Sequence, residues 1–441
     1  AELALARRDW AEAARYARSA LDYNRLNLTS WEALAIAERR AGEERRAADA
    51  LKEIAALDPL NHFVRAERYL GFPGDGTATA FQAGLRSEFP DESIMELASG
   101  YARRGLADDA ASILAMTPMS RPDTLARAWR AYLTRTGTLA PADITLVFPY
   151  RAETLPVLRW AADTTKHWSW TYLAALNLWA FDRGDEALAL LVPVGTTPRE
   201  PVFYATRAAL TLAADPADAR HAAEEDLKRA TAYAGSTRVL HLPLIQYYQS
   251  KGRWAEALAA STAALERFRD DFNLQILHAK SLVHLDRGAD AVTVLNTARV
   301  LPSEGARESH QLYVQAHVLA ALDEIRADRL DAAGSHVTQA FEWPEHLGQG
   351  RPYVPEERLL LFLRAELARR QQRAGAERDA LAQIAAATTP GGALAITDVL
   401  AIPALQTLSR RGDVPRVLAA ADRPGTDPGV AALAHALDAG T

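Results

Sequence analysis

The segment from Trp31 to Ile54, WEALAIAERRAGEERRAADALKEI, decides how this chain folds. Its apolar residues Trp31, Leu34 and Ala35, then Ala47, Leu51 and Ile54, fall on the faces of two successive amphipathic helices, with Gly42 in the turn between them. The run closes at Asp58-Pro59, because proline cannot continue a preceding helix. A helix pair of this length cannot bury its apolar face alone, so it must stack against neighbours of the same kind.

Those neighbours are readable on either side. The small residue needed where the second helix approaches the first recurs at Ala13 and Ala47, and again at Ala257 and Ala291, both pairs 34 residues apart. Less regular copies fall near Ala110, Ala187, Ala222 and Ala380, with Gly105, Gly184, Gly252, Gly288, Gly375 and Gly412 expected in the turns, and Arg121-Pro122 closing a repeat. Strand character is confined to Ile144–Tyr150, which ends in Phe148-Pro149 and reads as an ordered linker. A helix–turn–helix period of this length resembles the tetratricopeptide repeat. The expected fold is all-α, a right-handed α-solenoid of about eleven helix pairs.

Along the chain, residues 1–70 read as repeats with a truncated first member, and residues 71–140 as irregular repeats after a Gly- and Thr-rich loop at Gly71–Thr79. Residues 141–441 continue the solenoid, with a loop inserted at 342–354 and a capping helix at Asp427–Ala439. Residues 1–8 read as the tail of a helix without a polar capping element, and there is no initiator Met. The chain is therefore expected to be the carboxy-terminal part of a longer polypeptide, the alternative being a trimmed or disordered start in an otherwise complete protein.

Composition narrows the function classes. With 49% hydrophobic and 24% charged residues the 441-residue chain can bury a core, and zero cysteines exclude disulfides, a Cys nucleophile and thiolate metal sites. A formal charge of −6 supplies no positive field for nucleic acid, and no apolar run reaches the ~20 residues of a membrane helix. A cytoplasmic location is favoured, with periplasm or secretion left open.

Three stretches resemble one bacterial family that joins an N-terminal β-rich domain of unknown function to a tetratricopeptide tail. They are Leu57–Phe63, Leu146–Glu153 with His167-Trp168, and Trp343–Tyr353, with Tyr150, Ala152 and His346 departing from the pattern. The resemblance implies a carbohydrate-related parent protein and brings no catalytic residues.

No catalytic motif, phosphate-cradling loop or His-Glu-x-x-His metal site is present, and no cofactor is expected. Eleven histidines include His310 and His317 on one helix face, but neither has a carboxylate at ligand spacing; His278 reads as a core imidazole. Candidate contacts for a ligand or partner lie in two places. Trp160, Trp168, Trp170, Tyr172 and Trp179 form the densest aromatic cluster, readable as core packing or as a platform for a sugar or peptide, with Trp168, Trp170, Tyr172 and Trp179 as the candidate contacts. Glu345, His346, Arg351 and Tyr353 bring an acid, an imidazole, a guanidinium and a phenol onto one Gly-containing loop, readable as a site or as a bridge between long helices.

In a tetratricopeptide array the concave face is lined by each first helix. That phasing selects Thr29, Glu32, Ile36 and Arg39; Ser169, Tyr172, Leu176 and Trp179; Val239, Leu242, Gln246 and Gln249; and Asn273, Ile276, Lys280 and Val283. The expected role is a non-catalytic scaffold for protein association, the partner being another domain of the same polypeptide, a second copy or a peptide. The alternatives are a free-standing adaptor binding a peptide through Tyr172, Trp179 and Gln246, and an enzyme part contributing the Glu345–Tyr353 loop to a carbohydrate site.

Overall fold

A computed structural model describes residues 1–71, 74–85, 90–117, 123–135, 138–214, 220–233, 235–302, 307–388 and 392–439. Arg121-Pro122, expected to close a repeat, lies outside them. Among the described residues the chain is all-α, a tetratricopeptide-like succession of helix pairs with no strand. It forms two compact units, Ala1–Ala223 and Glu224–Thr441. No feature of the sequence marks that division, which falls within the helix Arg220–Ala232.

In the first unit the pairs include Leu28–Arg40 with Glu44–Leu57, Pro90–Arg103 with Ala107–Leu114, and Trp168–Ala180 with Gly184–Leu191. The second unit repeats the arrangement in Arg238–Ser250 with Trp254–Arg267, and Phe272–His284 with Gly288–Thr297. Two further pairs follow, Glu308–Arg326 with Leu330–Ala340 and Arg358–Arg370 with Ala374–Ala387. Side-chain caps start several helices: Asp9, Asn27 and Asp271 each accept from the backbone N–H three residues on, at 3.0 Å. The small residues then let the helices touch. Ala13, Ala47, Ala110, Ala187, Ala257, Ala291 and Ala380 are all buried.

Three expectations change. The small residue read at Ala222 is exposed, and Ala223 is buried in its place, a slip of one position that turns the face by a third of a helical turn. Helix Asp75–Gly84 occupies most of the stretch read as a loop at Gly71–Thr79. The left-handed turn residue is often not the expected glycine: Asp182, Asp286, Gln372 and Ser409 take positive φ, while Gly184, Gly288, Gly375 and Gly412 begin or enter the next helical segment. Gly288 is needed for proximity instead, since a Cβ there would lie 2.6 Å from Ala320 N. The segment 138–151 is non-helical, with Leu146 at φ 55°.

The interior of the first unit carries a buried ionic network. Arg39 donates from Nε to Glu67 at 2.7 Å and from a terminal nitrogen to Asp109 at 2.8 Å, and Tyr101 donates its hydroxyl to Glu67 at 2.7 Å. Arg40 also pairs with Asp109, at 2.9 Å. Because the two carboxylates enclose it, Arg39 is held more firmly protonated than an ordinary arginine despite its burial.

Candidate functional site

Several of the residues phased onto the concave face are consumed in joining one repeat to the next. Arg39 is locked in the ionic network, and Tyr172 is buried with its hydroxyl 3.1 Å from that of Thr206. Gln249 is buried and donates to Leu277 O and Ser281 Oγ, at 2.8 and 3.0 Å. Tyr172 is thereby a core residue rather than a ligand contact. So is Trp170, buried with its indole N–H donating to Ala140 O at 3.1 Å.

Trp168 differs from those two. It is half-buried, packs edge-on against Phe203 at 5.7 Å, and lines a groove of about 910 Å³ with Arg159, Lys166, His167, Thr171 and Pro193. Trp179 keeps 39% of its surface exposed but does not line that groove. The aromatic cluster therefore divides between core and surface.

The loop at 342–354 is anchored at one end and open at the other. Leu347 is fully buried in an apolar cluster with Ile276, Leu282, Leu295, Leu312 and Tyr313. His346 accepts at its carbonyl from Val300 N at 2.8 Å, and its Nε2 donates to Leu295 O at 3.1 Å. Ser309 Oγ donates to Leu347 O at 2.8 Å. Gly348, at φ +70°, sits where a Cβ would come within 2.8 Å of Val300 O. Beyond it Arg351 pairs with Glu357 at 2.8 Å, Glu345 is exposed, and Tyr353 is fully exposed. The acid, imidazole and guanidinium thus do not converge: His346 is spent on the anchor and Arg351 on its neighbour. The helix Gly288–Thr297 spans only ten residues, and the loop packs its apolar side chain into the same cluster as Ala291, Val292 and Leu295 of that helix. Leu347 is an apolar residue between His346 and Gly348, the signal in the sequence that could have revealed the plug.

In the second unit, part of the face phased as concave stays open. Leu242, Gln246, Asn273 and Ile276, all four selected by the phasing, line a groove of about 460 Å³ with Phe272, Leu301, Pro302 and Arg307. The amides of Gln246 and Asn273 make no hydrogen bond to the described residues of the chain, and Leu301 is exposed. At the rim Lys280 pairs with Glu308 at 2.7 Å.

The histidines are structural in their surroundings. His278 accepts or donates at Ser261 Oγ at 2.9 Å, His310 stacks on Trp343 at 3.4 Å, and burial pushes both below the usual imidazole pKa. Among the described residues no group of three His, Asp or Glu side chains is placed to hold a metal ion, and no helix is long and apolar enough to cross a membrane.

No family model matches the sequence, and no curated protein does. In structure the chain is similar to a chain of the APC/C hetero-tetramer Cut9-Hcn1, at 11% identity and TM-score 0.30, covering 98% of this chain and 94% of that one. It is also similar to a monomeric mutant of IFIT1 with Gppp-AAAA, at 12% and 0.30, covering 89% and 90%. The human IFIT1 dimer with PPP-AAAA gives 14% and 0.29, covering 93% of each chain.

Proposed function

We propose that this chain is a non-catalytic helical-repeat scaffold whose second unit binds an extended polypeptide segment. The observation that carries the reading is the pair of unengaged amides, Gln246 and Asn273, beside the apolar floor of Leu242, Phe272 and Ile276. An extended peptide exposes one N–H and one C=O per residue, and a side-chain amide can satisfy both kinds of group without reading sequence. The apolar floor then takes a side chain of the peptide, which supplies the selectivity. The segment could belong to another domain of the same polypeptide, to a second copy or to a separate protein, since each presents the same backbone.

A peptide-display library panned on the full chain tests this. Enriched peptides should bind Gln246→Ala/Asn273→Ala at least tenfold more weakly, with the unfolding midpoint unchanged. Enrichment that survives the double substitution, or no enrichment, overturns the reading.

A carbohydrate partner is a second reading, favoured by one observation: the half-exposed Trp168 in the larger groove of the first unit. An indole face stacks on a sugar ring. Trp168→Ala should abolish retention on a glycan array if that reading holds.

A further inference from the structure

A second cleft, in the first unit, has the opposite chemistry to the neutral groove of the second. It lies between the helices Leu28–Arg40 and Pro90–Arg103, the turn Asp58–Phe63 and the segment Tyr150-Arg151, with a volume of about 470 Å³. Four carboxylates line it, those of Glu32, Asp58, Glu92 and Glu96, against the single guanidinium of Arg151.

That guanidinium is already engaged. Arg151 is buried and faces two carboxylates, Glu92 at 2.7 Å and Glu96 at 3.0 Å, which themselves stay open to solvent. Behind the cleft, Arg104 is likewise buried between Glu32 at 2.9 Å and Glu2 at 3.0 Å. Each buried cation therefore fixes two anions in place and leaves one negative charge over. Arg65 is the other nearby cation, bonded to the His62 ring and to Leu60 O. Even with Arg65 and Arg104 included, the carboxylates outnumber the cations. The pairings also hold Glu92 below the usual carboxylate pKa, and burial with Arg65 nearby keeps His62 below the usual imidazole range, so neither cancels this excess at neutral pH.

The same cleft has an apolar side. Leu60 is 77% exposed and Tyr150 54% exposed, the latter held by its hydroxyl on Glu92 at 2.9 Å with the Arg151 guanidinium over its ring at 4.5 Å. A large aliphatic side chain left in water beside an ordered aromatic costs solvation that a partner's side chain would remove. Tyr and Arg at a pre-ordered edge are also the residue types that dominate binding energy at interfaces.

We propose that this cleft docks a cationic polypeptide segment in which Lys or Arg alternates with large apolar residues. The charge complementarity selects the cation, because Glu92 and Glu96 keep lone pairs after their bonds to Arg151, as Glu32 does after its bond to Arg104, and can accept an ammonium or guanidinium donor. Leu60 and Tyr150 select a polypeptide over a small cation, since apolar side chains between the charges bury against them.

Fluorescence anisotropy on the full chain tests the assignment, using fluorescein-labelled octapeptides of alternating Arg and Leu, alternating Glu and Leu, and alternating Arg and Ser, with spermine as competitor. The Arg-Leu peptide should bind at least tenfold more tightly than either other peptide and weaken with added salt. Glu96→Gln and Leu60→Ser, both at exposed positions, should each weaken it severalfold without moving the unfolding midpoint, whereas Gln246→Ala/Asn273→Ala should leave it unchanged. Equal binding of the Arg-Ser peptide, full displacement by spermine at a matching charge concentration, or indifference to Glu96→Gln and Leu60→Ser would overturn the proposal. Loss of the Arg-Leu peptide with the Gln246/Asn273 substitutions alone would place it in the other groove and equally overturn it.

Discussion

The Nδ1 atoms of His317 and His336 lie 3.1 Å apart, so a proton between them belongs to one ring and is accepted by the other. His317 is wholly buried, its Nε2 has no hydrogen-bond partner among the described residues, and Tyr313 packs edge-on against it at 4.4 Å. Burial first, then the neighbouring His336, lowers the His317 pKa to about 4.

The sign of the resulting pH dependence follows directly. The unfolded chain takes up its proton near pH 6.5 and the folded chain only near 4. Stability from this residue is therefore complete above pH 6.5, is lost as the pH falls, and levels off below 4, the total being about 3 kcal/mol. His241, His278 and His310 shift in the same direction. In urea titrations at pH 7 and 4.5, His317→Leu should narrow the stability difference without abolishing it.

Breaking the ionic network of the first unit should be costly. Arg39→Leu leaves Glu67 without its guanidinium, buried beside Tyr101, and weakens the neutralisation of Asp109. Removing one member of a buried pair typically costs about 3–5 kcal/mol. Denaturant unfolding of Arg39→Leu should show a loss of that size, while Arg15→Leu, whose partner Glu12 is exposed, should fall within about 1 kcal/mol of the parent.

The anchored loop makes a separate prediction. Leu347→Ala empties a buried site and should destabilise the second unit by about 2–5 kcal/mol. Tyr353→Ala, fully exposed at the open end, should leave the unfolding midpoint in place. Equal effects of the two substitutions would mean that the loop is not held by its apolar plug.

Two glycines in comparable sequence positions should respond oppositely. Gly288→Ala drives a methyl against Ala320 N and Ala316 O and should cost about 1–3 kcal/mol. Gly375 is the second residue of a helix, with nothing near its missing side chain, so Gly375→Ala should gain about 0.5 kcal/mol by restricting the unfolded chain. Thermal unfolding of the two variants distinguishes them.

The helix pairs were legible because their signals are local. Caps such as Asp9 and Asn27 act within three residues, and a buried Ala47 or Ala291 is set by the face on which its own helix turns. Four groove residues of the second unit, Leu242, Gln246, Asn273 and Ile276, came from that same periodicity. Which other concave positions remain open was a tertiary outcome. Tyr172, Arg39 and Gln249 occupy equally favourable places in the repeat, but each found a partner far along the chain: Thr206, Asp109 and Ser281. The plug formed by Leu347 and the acidic cleft around Arg151 likewise join segments tens of residues apart. By itself, the sequence determined the period and the faces of the helices, through interactions that repeat every turn; the tertiary structure alone decided which polar and aromatic groups were left unsatisfied, because a buried polar group is satisfied by whatever stacking brings within hydrogen-bonding reach.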